Sequence, residues 1–229
     1  MPTVNAVLAE LKKLADPKVK AGMVRFGVPN NKALGIPVGN MRTLAKRLGK
    51  DHTLATELWK TDVYEARMMS CFLGKPEELT PAQMDRWCKD FDSWAICDTA
   101  CFCLFDRTPH AWKMIDKWAI RKPEFEKRTA FALLASIALH DKKVADEPFL
   151  DRFSLMEDAA SDERNFVKKG VSWALRSIGS RNPVLHAASI DLAERLAGST
   201  VPPTRWIGKD VLRDLQRDLV KKRVSSRKK

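Results

Sequence analysis

Residues 165–183 read NFVKKGVSWALRSIGSRNP, and two earlier stretches echo them: FEKRTAFALL at 125–134 and YEARMMSCFL at 64–73. Each carries an aromatic residue with a cation three positions later, in the pairs Phe166/Lys169, Phe125/Arg128 and Tyr64/Arg67. Each then runs on into small and apolar residues. At about 100° per residue, Val167, Val171, Ala174, Leu175 and Ile178 fall on one side of a helix spanning 162–179, as a core-facing stripe requires. A motif that returns inside successive amphipathic helices marks a helical repeat, because one hairpin cannot cover its own apolar face and stacked neighbours supply the core.

The same periodicity extends in both directions. It predicts helices at 3–14, 16–26, 37–48, 51–60, 62–74, 80–90, 92–105, 108–120, 123–139, 146–158, 162–179, 183–197 and 203–220. Alternating β-branched runs are absent, and the 10 glycines fall mostly between the helical patterns. Pro37, Pro81, Pro109, Pro123, Pro183 and Pro203 lie near the expected helix starts, where a missing N–H costs little. Thr80, Thr108 and Asn182 stand one residue earlier, as N-caps. Short connections fold consecutive helices into antiparallel hairpins. The expected fold is therefore all-α: a HEAT-like helical-repeat solenoid of antiparallel helix pairs with a concave basic face. It forms one domain over 1–220, and 221–229 follow as a basic tail without fixed structure.

The chain has 229 residues, with 41 Lys and Arg against 29 Asp and Glu, a formal charge of +12. A balance this basic is compatible with nucleic-acid binding, although many basic proteins bind none. No apolar run approaches the ~20 residues of a membrane span, and the start of the chain is amphipathic and charged, unlike a secretory signal. The five cysteines, an odd number without framework spacing, are expected as reduced thiols. Cys97, Cys101 and Cys103 cluster, yet no histidine pair completes a metal set, so small core residues are the expectation. The four histidines are scattered, and GIPVGN (35–40) and GSRN (179–182) lack the pattern of a nucleotide phosphate loop. No cofactor and no metal are expected.

Three positions sit awkwardly in a bland helical core. Trp173 falls almost opposite the apolar stripe of its helix, beside Lys169 and Arg176. That arrangement suits a platform for a sugar or base between phosphate contacts, or a residue packed beneath the next repeat. Arg128 lies opposite Ala130, Leu133, Leu134 and Ile137, flanked by small residues that let a phosphate approach; it could equally pair with Glu124. Asp98 is the only charge in SWAICDTACFCLF (93–105), and Trp94 precedes it by one helical turn. A carboxylate beside an indole suits the stabilisation of an oxocarbenium-like sugar. It suits equally well an Asp that holds a buried Arg or caps a neighbouring helix.

Taken in order, these segments resemble the AlkD-type DNA alkylation repair glycosylases, which are HEAT-like repeat proteins. GIPVGNMRTLAK (35–46) is similar to a Gly-hydrophobic-x5-Arg segment that puts Arg42 at a basic position. LWKTDVYEARMMS (58–70) resembles a Leu-Trp…Glu-x-Arg helix. SWAICD places Trp94 and Asp98 on the family's Trp-x3-Asp pair, FEKRTAFALL places Arg128 on its active-site arginine, and NFVKKGVSWALRSIGSRNP places Trp173 and Arg176 on its second tryptophan and basic neighbour. Ala95 departs from the pattern, which often has an acid there. The resemblance implies hydrolysis of the N-glycosidic bond of N3- and N7-alkylated purines in duplex DNA, without flipping the base into a pocket. It implies roles in the reaction for Asp98, Trp94, Trp173 and Arg128, and DNA contacts from Arg42, Lys168, Lys169 and Arg176. It further implies a monomer without obligate protein partner or membrane attachment, acting in a bacterial cytoplasm at the nucleoid. Two alternatives of other classes stand beside it: a non-catalytic repeat protein that grips nucleic acid through phosphates, and a protein–protein scaffold whose charge serves solubility.

Overall fold

The computed structural model describes residues 2–226, and its regular elements are α-helices and short 3-10 turns. The chain forms two compact units, one running to His110 and one starting at Ala111.

The first unit contains α1 (Val4–Lys13), α2 (Pro17–Met23), α3 (Val38–Leu48), α4 (His52–Lys60), α5 (Tyr64–Leu73), α6 (Pro81–Lys89) and α7 (Trp94–Cys103). Polar caps set several starts. The side chains of Thr3, Asp16, Asp51 and Thr80 accept backbone N–H groups of α1, α2, α4 and α6, which satisfies donors that a helix N-terminus otherwise leaves orphaned. Helix α5 is the hub of the unit and packs on α3, α4 and α7. Met68, Met69, Cys71 and Leu73 supply its fully buried apolar side chains. Trp59 of α4 stacks on Trp87 of α6 with ring centroids 4.2 Å apart.

The two sequence segments around 35 and 65 meet here, for a reason that is structural. Glu65, with no exposed surface, accepts the backbone N–H groups of Leu34 (2.8 Å), Gly35 (2.7 Å) and Ile36 (3.2 Å). A buried carboxylate is tolerable only when so satisfied. Gly35 has φ +85°, and a Cβ there would lie 2.3 Å from the Asp16 carbonyl oxygen, so no other residue fits this crossing. Arg67, two residues on, pairs with Asp62 at 2.8 Å and lies over the Trp59 ring.

The second unit contains α8 (Ala111–Ala119), α9 (Glu124–His140), α10 (Glu147–Leu150), α11 (Phe153–Asp158), α12 (Asn165–Gly179), α13 (Pro183–Ala197), α14 (Pro202–Leu215) and α15 (Asp218–Ser225). Helix α9 is buried on nearly every side from Arg128 to Ala138, which is why its sequence is apolar all round rather than striped. It packs on α8 and α12, and α12 packs in turn on α13 and α14. The α13–α14 backbones approach closely at Gly208, where a Cβ would lie 2.2 Å from the Ala197 nitrogen.

The expected helices recur within a few residues, with four differences. The segment 146–158 breaks into α10 and α11 where Arg152 reaches back to the Pro148 carbonyl (2.8 Å) and across to Asp116 (2.8 Å). Thr108 does not cap α8; its hydroxyl donates to the Phe105 carbonyl at 2.9 Å, closing a 3-10 turn at 105–107. The segment 203–220 ends at Leu215, because Arg217 is extended. The stretch expected as a tail from 221 is helical through Ser225 in α15, with Val220 and Val224 buried; residues 227–229 lie outside the described residues. Among the described residues, no helix is long and apolar enough to cross a membrane. Among the described residues, no three His, Cys, Asp or Glu side chains are grouped to hold a metal ion.

Candidate functional site

In the first unit, Trp94 and Asp98 occupy one side of α7. Ile96, Cys97, Ala100 and Cys101 take the buried side, and Trp94 and Asp98, one turn apart, are half-buried on the other. Trp94 has an anchor that sequence reasoning missed. Its indole N–H donates to the Phe26 carbonyl at 2.8 Å. Phe26 ends a 3-10 turn, Val24–Phe26, closed by Gly27 at φ +70°. The Phe26 ring is 59% exposed and lies under the Arg25 guanidinium at 4.7 Å. An exposed aromatic with its own cation therefore sits next to the tryptophan. Its only sequence signal is the Arg-Phe-Gly triplet at 25–27.

Arg42 is exposed on α3 of the same unit. Its guanidinium lies over the Phe72 ring at 5.0 Å and 3.7 Å from the Cys103 sulfur. Stacking on an aromatic face fixes the plane of the fork and leaves its edges for other acceptors.

In the second unit, Arg128 is 6% exposed and donates to the Phe166 carbonyl at 2.8 Å. The alternative partner read from the sequence, Glu124, accepts the Phe166 backbone N–H at 3.1 Å. The small neighbours of Arg128 do admit a close approach, but the visitor is α12: a Cβ on Gly170 would lie 3.6 Å from Arg128 Cγ. Arg128 thus joins α9 to α12 whatever else it does.

Trp173 is half-buried on α12. Lys169 is exposed on the same helix. The other two expected DNA contacts are engaged within the protein. Lys168 lies over the Trp206 ring at 4.6 Å. Arg176 stands 3.7 Å from Asp210, which also accepts the Ser172 hydroxyl at 2.6 Å and pairs with Arg213. Their charge is partly spent in holding α14.

Just before α12, the Asp162 carboxyl is held well down, to about 2, chiefly by hydrogen bonds from the Arg164 guanidinium, with further support from Lys127. It fixes the turn through which α12 enters.

A family model described as DNA alkylation repair enzyme matches residues 7–202. The chain belongs to this family. The match takes in α1 to α13, and so every candidate residue above. Among curated proteins, none matches the sequence significantly. One solved structure superposes with a TM-score of 0.77 at 18% identity, covering 93% of this chain and 95% of that one. It is described as a new family of proteins related to the HEAT-like repeat DNA glycosylases, with affinity for branched DNA structures. At that identity the likeness establishes the fold: this DNA alkylation repair family member is an all-α, HEAT-like repeat protein.

Proposed function

We propose that the protein is a DNA glycosylase that hydrolyses the N-glycosidic bond of N3- and N7-alkylated purines in duplex DNA. The observation that carries the reading is the Trp94–Asp98 pair on the accessible side of α7, in a basic member of a DNA alkylation repair family. A purine alkylated at N3 or N7 is cationic and already a good leaving group, so the reaction needs no strong general acid. It needs stabilisation of the positive charge that develops on the deoxyribose as the bond opens. Asp98 supplies a carboxylate for that charge and orients the attacking water. At an effective dielectric of about 20, opposite charges about 4 Å apart attract by roughly 4 kcal/mol, close to a thousandfold in rate. Trp94 offers a ring face to the sugar and is held by the Phe26 carbonyl. Trp173 serves as the second sugar contact, Arg128 holds the backbone beside the lesion, and Arg42, Lys168, Lys169 and Arg176 grip further phosphates. The reading requires one duplex to touch residues of both units.

A second reading has its own support. The solved relative is described by its affinity for branched DNA rather than by excision, and a repeat protein can hold DNA through phosphates alone. One experiment separates the two: incubation of a duplex bearing a single 7-methylguanine with excess protein, followed by alkaline cleavage at abasic sites. Cleavage at the modified position supports the glycosylase. Intact strands from a protein that binds the duplex support phosphate binding without chemistry.

A further inference from the structure

The first unit contains a recess of about 390 Å³ whose wall includes Arg42, Lys46, Lys50, Phe72, Cys103 and Arg107. Four of its lining residues are cations, and no carboxylate lines it. The elements responsible are the C-terminal end of α3, the end of α5 and the end of α7 with its following turn. Lys50 is tethered by the carbonyl oxygens of Phe72 (2.8 Å) and Gly74 (3.0 Å). Arg42 is held flat against Phe72. Asp106 stands 4.0 Å from Arg107 and is almost wholly covered, and Glu77 is the acid that bears on Lys50.

We propose that this recess is a phosphate-binding pocket, and that in the working protein it takes one backbone phosphate of the DNA strand at a distance from the lesion. The proposal rests on the DNA-repair reading for its ligand but not on catalysis. Three observations converge on an anion. Concentrating like charge in a recess is unfavourable unless something neutralises it. Lys50 shows that cost: burial first, and then Arg107, pull its ammonium below the ordinary lysine range. A planar arginine on an aromatic ring with lysines beside it provides both bidentate and point-charge donors for phosphate oxygens. The volume is at the small end of ligand sites, about 300–1,000 Å³, with room for a phosphodiester and the start of its sugars rather than for a base pair.

The pocket carries its own reporter. Cys103 is half-buried on its wall, and the other four cysteines are buried. Maleimide modification of Cys103 in the full-length protein therefore reads occupancy, with Cys103→Ser as the control for labelling at that site. The probes are an unmethylated duplex and inorganic phosphate. Duplex at ten times its dissociation constant is expected to slow labelling by about tenfold, and millimolar phosphate to slow it as well. The double substitution Lys46→Gln with Arg107→Gln is expected to reduce the salt dependence of duplex binding by about one phosphate equivalent, not two, because both side chains serve one phosphate. Labelling unaffected by either probe, with an unchanged salt slope in the double variant, overturns the proposal and leaves a solvated basic face. Protection by phosphate but not by duplex overturns the strand assignment. Base release by the wild-type protein is scored separately, so failure of the pocket and failure of the glycosylase reading are distinguishable.

Discussion

Replacing Glu65 by Gln tests how the first unit is held together. In the native protein one carboxylate oxygen accepts the N–H groups of Gly35 and Ile36, and the other accepts that of Leu34. Hydrogen bonds to a charged group contribute about 1.5–3 kcal/mol each, and a buried donor left without a partner costs about 1–3 kcal/mol. Glutamine keeps one acceptor oxygen. Its amide then faces the remaining N–H with a second donor, and the charge assistance to the surviving pair is lost. The sum is about 2–4 kcal/mol, or roughly 30- to 1,000-fold in the opening equilibrium of this loop. Hydrogen exchange of the peptide spanning 33–37 measures this directly, since amide protection reports local opening. The expected result is exchange faster by that factor at Leu34, Gly35 and Ile36, with α12 unaffected. Exchange at wild-type rates would refute the reasoning, because it would mean that these amides draw their protection from something other than Glu65.

Other predictions follow from the second unit. Lys169→Ala is expected to lower the salt slope of duplex binding by about one, and Arg176→Ala by less, because Asp210 already neutralises part of its charge; equal effects in a salt titration would contradict this. Asp162 has a folded pKa of about 2, below its ordinary 3.8, so its contribution is present above about pH 4 and is lost as pH falls towards 2. The Asp162→Asn variant is thus expected to melt below wild type at pH 6 and to converge with it near pH 2, as followed by thermal denaturation. Gly208→Ala forces a methyl against the α13 backbone and is expected to cost about 1–3 kcal/mol by overpacking; an unchanged urea midpoint would show that the two helices can separate freely.

Much of the fold was legible because helical periodicity is local. Proline and polar caps at Pro81, Pro183, Thr80 and Asn182 marked starts that the structure keeps. The failures came where distant contacts decide. Nothing in the chain near 151 announces that Arg152 will be claimed by Asp116 and the Pro148 carbonyl, and no glycine or proline marks the break at Arg217. Asp98 and Trp94 could be placed on one side of a helix from their spacing alone. The anchoring of Trp94 by Phe26 could not, since it joins residues 68 apart in sequence. Lys168 and Arg176 lie by Trp206 and Asp210, partners on α14 that their own stretch of sequence does not announce. The small residues around Arg128 signalled a close approach, and packing brings Gly170 of α12 against the stem of its side chain.

The central claim is tested most directly by measuring the release of 7-methylguanine and 3-methyladenine from methylated duplex DNA, comparing wild type with Asp98→Asn. The account predicts release by the wild type, and loss of most of it in the variant while duplex affinity is kept. Release by Asp98→Asn within about threefold of wild type, well under the roughly thousandfold expected from the charge, would remove the carboxylate from the mechanism. A wild type that binds the duplex but releases neither base would contradict the glycosylase itself.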